Sequence, residues 1–123
     1  MEIKIKIPHF SLTSGSMLYV YNGKGIIHKE KLKRNKKYLH LLFERPLYLL
    51  SVTRTRFNNF RLNLFYVKKN SDNGVYICIP ICSFHSYYTP YPKCLDIIAK
   101  VEKQYKLPEK LKNDIIFYCS LTH

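Results

Sequence analysis

Three arginines fall within eight positions of the stretch TRTRFNNFRLNL, Thr53 to Leu64. Asn58 and Asn59 both tolerate the positive φ that a two-residue type I′ loop needs. Read that way, the stretch is a hairpin in which Phe57 pairs with Phe60, Arg56 with Arg61, and Arg54 with Asn63. Directly opposed residues share a face, and the face recurs at every second position. This register predicts a polar face of Arg54, Arg56, Arg61 and Asn63. Thr53, Thr55, Phe57, Phe60, Leu62 and Leu64 then make the apolar one. Like charges held opposite one another cost about 0.2–1 kcal/mol on a solvated sheet. A phosphate between them turns the repulsion into attraction, because the planar guanidinium grips phosphate oxygens in a bidentate way. The plain alternative is a solvated outer face with arginines that protect the sheet.

The charge distribution favours the first reading. The chain carries 21 basic and 8 acidic residues, a formal net charge of +13. From Asn22 to Lys69 there are 13 basic residues against two acidic ones, Glu30 and Glu44, so +11 of the excess lies there. The segment EKLKRNKK, which contributes Lys33, Arg34, Lys36 and Lys37, has too few apolar positions to bury a face and reads as an exposed loop or short solvated helix. A regional positive field attracts nucleic acid, anionic lipid or an acidic protein surface. Tyrosines interleave with the cations, among them Tyr66, and the loop YYTPY starts at Tyr87. Bases of single-stranded RNA or DNA stack on such rings while cations follow the backbone.

Other chemistries fit less well. Cys78, Cys82, His85 and Cys94 have zinc-ligand types. The first two lie on an expected strand, however, where residues four apart are separated by about 13 Å, too far for one zinc. The cysteines are expected to be buried free thiols, with no metal and no cofactor. Only eight carboxylates are present, and they are scattered, so clustered-carboxylate metal catalysis lacks its ligands. There is no phosphate-binding glycine loop and no nucleophile elbow. A metal-free ribonuclease needs only His, Arg, Lys and Tyr, and His28, His40, Arg54, Arg56 and Arg61 are its candidates. Small basic α+β toxins that cleave messenger RNA are built that way, an analogy of fold and composition only.

The elements that must position these residues are short. EIKIKI alternates as a strand. SMLYVY and GIIHK flank the Asn-Gly of YNGKG, a hairpin signal. KYLHLLFE is ambiguous between strand and helix. PLYLLSVTRTRF, FRLNLFYVKK and VYICIPICSF read as strands. In the last of these, Val75, Ile77, Ile79 and Ile81 alternate inward, and Pro80 marks an edge or a bulge. Two helices follow, about 93–106 with Leu95, Ile98, Val101 and Tyr105 as its buried stripe, and about 108–118 with Leu111, Ile115 and Tyr118. Strands first and helices last predict a single α+β domain over 1–123. Its antiparallel sheet has about five to six strands (residues 2–84), with both helices on one face.

The sequence thus points to a small basic module that binds RNA or single-stranded DNA and has no catalysis of its own. Arg54, Arg56, Arg61, Asn63, Lys33, Arg34, Lys36 and Lys37 serve as polar contacts, and Tyr66 or Tyr87 stacks on a base. One alternative is a viral or mobile-element inhibitor that sets its basic face on an acidic surface of a host nucleic-acid-handling complex. The toxin-type ribonuclease is the other. No apolar leader and no run of about 20 apolar residues is present, so the expected location is cytoplasmic, with no membrane partner.

Overall fold

A computed structural model describes residues 2–8, 15–42, 44–70 and 74–121. Seven strands precede two helices: β1 (Glu2–Lys6), β2 (Met17–Asn22), β3 (Gly25–Lys31), β4 (Tyr38–Leu42), β5 (Tyr48–Arg54), β6 (Phe60–Asn70), β7 (Val75–His85), α1 (Tyr91–Val101) and α2 (Glu109–Ser120). The α+β class is the one the sequence predicts. The strand count is higher than the five to six expected, because the ambiguous Tyr38–Leu42 stretch forms a strand.

All strands join one sheet in the order β3-β2-β5-β6-β7-β1-β4. Every neighbouring pair is antiparallel except β7–β1, which is parallel. The two edge strands, β3 and β4, are consecutive in the chain. Seven flat strands would hold those edges about 29 Å apart at the usual spacing, whereas the connection from Lys31 to Tyr38 reaches about 24 Å at full extension. The sheet must curl, and it forms a nearly closed barrel.

Curling gives each sheet face its own core. Ile5 and Ile7, Leu18 and Val20, Leu39 and Leu41, Leu49, Phe65 and Val67 fill the barrel interior, with Leu32 closing over them. On the outer face Tyr48, Leu50, Val52, Leu62, Leu64 and Phe84 pack beneath Cys94 and Ile98 of α1 and Leu111, Ile115 and Cys119 of α2. The predicted stripe of α2 holds at Leu111 and Ile115. In α1 the predicted stripe holds at Ile98, with Val101 and Tyr105 packed against the same core, but Cys94 is buried in place of Leu95, which is exposed. Tyr21 links the layers, since its hydroxyl donates to Asp114 Oδ2 at 2.7 Å.

Local sequence explains the turns. At β2–β3 the two-residue turn is Gly23-Lys24, with Asn22 opposite Gly25. The Lys24 N–H donates to Asn22 Oδ1 at 2.8 Å, and Gly25 takes φ +134°, open only to glycine at low cost. Pro80 does mark a bulge: the β6–β7 register shifts there, with Leu64 opposite Cys82 and Phe65 opposite Pro80. The expected inward row of Val75, Ile77 and Ile79 is corrected. Val75 pairs with both Asn70 and Lys4 and so shares their outward face, and it is Tyr76 and Cys78 that touch the interior core.

Candidate nucleic-acid interface

The arginine hairpin forms, but in another register. Val52 lies opposite Leu62, Ser51 opposite Asn63, Leu49 opposite Phe65, Thr53 opposite Arg61 and Arg54 opposite Phe60. The register predicted from the tip would have set Leu49 against Lys68 and Tyr48 against Lys69. The stem decides instead, because it matches apolar with apolar and polar with polar on both faces. The slip is odd in residue count, so the predicted polar face is split. Arg54 stands on the helix-side face with Val52 and Leu62, and Arg61 stands on the interior-side face with Thr53 and Asn63. Thr53 likewise leaves the apolar face assigned to it.

A five-residue loop closes the hairpin, with the Thr55 N–H donating to the Asn59 carbonyl at 2.7 Å. Phe57 and Asn58 take φ +63° and +62°. Arg54 Nη2 donates to Asn58 Oδ1 and ties the loop to β5. Phe57 is left 90% exposed at the tip.

Below this loop, the mouth of the barrel is lined by polar cross-strand rows. The outer row is Thr53–Arg61–His85 and the next is Ser51–Asn63–Ser83; then the interior core begins. Ser16 Oγ and Thr53 Oγ1 are 2.6 Å apart. Asn63 is buried, and neither its Nδ2 nor Ser51 Oγ has a hydrogen-bond partner. It therefore belongs to the wall of the mouth and not to the surface assigned to it.

A groove of about 450 Å³ opens between the β5–β6 loop and the turn after β7. Arg56 and Arg61 contribute its cations, Phe57, Tyr87 and Tyr88 its rings, and His85 its imidazole. Tyr87 and Tyr88 are 60% and 68% exposed. Their centroids are 4.9 Å apart edge to face, and His85 lies 4.9 Å from Tyr88. The turn is rigidly made: the His85 carbonyl accepts from Tyr88 and Thr89 N–H at 2.9 and 2.7 Å, and the Tyr87 N–H donates to His85 Nδ1 at 3.2 Å. A neutral ring so fixed carries its proton on Nε2 and is a donor there.

The same end of the barrel collects the other basic segment. Lys31 lies level with Met17 and Val52, next to the Thr53–Arg61–His85 row; β1 runs in the direction of β7 and stops at Lys6, level with Ile77. The β3–β4 connection crosses this end, so Lys33, Arg34 and Lys37 are exposed beside the mouth. Asn35 turns it sharply at φ +70°. Lys36 is not free, since its ammonium pairs with Glu30, which also contacts His28 at 3.1 Å. Burial opposes ionisation of Glu30, but the hydrogen bonds from Lys36 and His28 prevail and hold its carboxyl below the usual value.

Several expected partners fall elsewhere. Tyr66 lies at the other end of β6, half-buried between Tyr48 and Tyr105 at 5.7 and 5.4 Å. His28 stays with Glu30, and His40 pairs with Glu2 at 2.6 Å. Neither lines the groove, so the candidate ribonuclease set is not assembled. Cys78 faces the interior core and Cys82 the helix-side core. Burial pushes both thiols up to about 12, which keeps them protonated at neutral pH. Among the described residues no three His, Cys, Asp or Glu side chains converge as metal ligands, and no helix is long and apolar enough to cross a membrane. Sequence reasoning missed Phe57 and His85 as groove residues, whereas Tyr88 lies in the YYTPY loop it singled out. The available signal was a strand-ending histidine one residue before the paired tyrosines.

No family model, curated protein or solved structure matches the chain.

Proposed function

We propose that the mouth-end groove binds single-stranded nucleic acid, RNA or single-stranded DNA, without catalysis of its own. One observation carries the reading: Arg56 and Arg61 share a groove with three exposed rings, Phe57, Tyr87 and Tyr88. Exposed rings gain little by staying in water, and a base has a π-face that suits them. The arginines take the phosphate between successive bases. Lys33, Arg34 and Lys37 extend the field across the same end and speed encounter. His85 fits a binding role better than a basic one, because its Nδ1 lone pair is taken by the Tyr87 N–H and Nε2–H is left as a donor.

The test is anisotropy of a labelled single strand across a salt series, followed by a denaturing gel. Affinity falls with salt, the RNA stays intact, and the double substitution Arg56→Ala with Arg61→Ala lowers the slope by about 1.4, about 0.7 per lost phosphate contact. An unchanged slope and affinity would remove the groove as the site. Shortened RNA on the gel would replace binding by cleavage.

A further inference from the structure

Tyr66 was expected beside the arginines, and its actual place exposes a second groove. At the far end of the barrel, about 26 Å along β6 from Arg61 to Lys69 by the strand rise, a groove of about 550 Å³ is lined by Arg45, Lys68 and Lys69 with Tyr66 and Tyr76. A neighbouring hollow of about 380 Å³ shares Arg45, Lys69 and Tyr76. Three cations therefore meet two rings, the same chemistry as at the mouth, from β6, β7 and the segment before β5.

The cations have no carboxylate partner among the described residues. Glu2 and Glu44 border the hollow, but Glu2 is engaged with His40 at 2.6 Å and Glu44 accepts from Asn22 Nδ2 at 3.3 Å. The outer surface level with this groove is also cationic. Lys4 lies in the same outward cross-strand row as Val75 and Asn70. Lys68 and Lys6, two residues away from that row along β6 and β1, face outward with it. The helices cover the outer face of the central strands and leave this strip of β1 and β4 bare.

We infer that Arg45, Lys68 and Lys69, flanked by Tyr66 and Tyr76 and extended outward by Lys4 and Lys6, form a second phosphate-binding groove, and that one single strand occupies both grooves. The inference rests on the proposed reading of the mouth groove. Its signature is a length dependence: two linked weak contacts act as one strong one, because the second is intramolecular.

The experiment compares single strands of about six and about twenty nucleotides, bracketing the range one such surface occludes. The proteins are the wild type and the triple variant Arg45→Ala, Lys68→Ala, Lys69→Ala. The longer strand is expected to bind the wild type about 100-fold more tightly. In the triple variant most of that gain disappears, while the short strand, which binds the wild type at two sites, keeps its mouth site at unchanged affinity, which also shows that the variant is folded. The salt slope for the long strand drops by about 2. Extra binding registers on a long strand raise its affinity for both proteins equally, so the comparison between proteins isolates the groove. A full length gain in the triple variant would overturn the inference and leave the mouth reading standing. Binding of only the long strand, lost in the triple variant and untouched by Arg56→Ala with Arg61→Ala, would overturn the mouth reading and the two-groove path together.

Discussion

Phe57 is the residue whose position is hardest to justify by folding alone. Its φ of +63° is a left-handed conformation that costs a side-chain-bearing residue about 1–2 kcal/mol. Its ring is 90% exposed, so no burial offsets that cost. Glycine adopts the same backbone freely but loses more entropy on folding. Phe57→Gly is therefore expected to leave stability unchanged or to raise it by up to about 1 kcal/mol. Single-strand affinity should fall by about 1–3 kcal/mol, the worth of one base stacked on a ring. Thermal unfolding and anisotropy measured on the same preparation check both halves. A destabilised variant with full affinity would mean that the ring serves the loop. Tyr87 and Tyr88 carry no such backbone strain, and the strain sets Phe57 apart as the more telling substitution.

At the scale of elements, the β3–β4 connection matters most, since it carries three exposed cations across the mouth. It is moored by Glu30, which holds Lys36 and His28. The carboxyl's folded pKa lies below its usual 4.5, so the pair's stabilisation is present above about pH 4.5 and is lost as pH falls through the lower folded value. A half-exposed pair of this kind contributes up to about 1 kcal/mol. Urea unfolding of Glu30→Gln should show a deficit of that order near neutrality that narrows at acid pH, as the pH falls below the usual 4.5. An equal deficit at both pH values would assign the loss to packing rather than charge. The elements also show what the sequence made legible. Strands β1, β2, β3, β5, β6 and β7 and both helices follow from alternation, helical spacing and the prolines. The hairpin register did not follow. The Asn58-Asn59 tip favours a two-residue loop locally, and only the mate of each stem residue on both faces reveals the true pairing. The groove was half legible: the charge of Arg56 and Arg61 and the loop rings could be read, but not that the loop after β7 brings Tyr87 and Tyr88 against the hairpin. That contact is tertiary, and no short-range pattern encodes it.

The whole molecule is a curled sheet serving two cores at once, and β5 and β6 belong to both. Leu50, Val52, Leu62 and Leu64 face the helices, while Leu49, Phe65 and Val67 face the barrel interior. Neither core can dissolve without exposing the strands that the other depends on. Unfolding should then be one transition. Leu111→Ala in the helix layer and Leu39→Ala in the interior each remove a fully buried side chain, and each is expected to cost about 2–5 kcal/mol. Both should lower the same urea midpoint, with fluorescence and circular dichroism still coinciding. A helix layer that melted first in Leu111→Ala, leaving the barrel folded, would show two units instead of one. The outcome bears on function, because the mouth groove and the far groove are both built on β6. Only in a single cooperative unit is their separation fixed, and a fixed separation is what lets one strand engage the second groove without first ordering the protein between them.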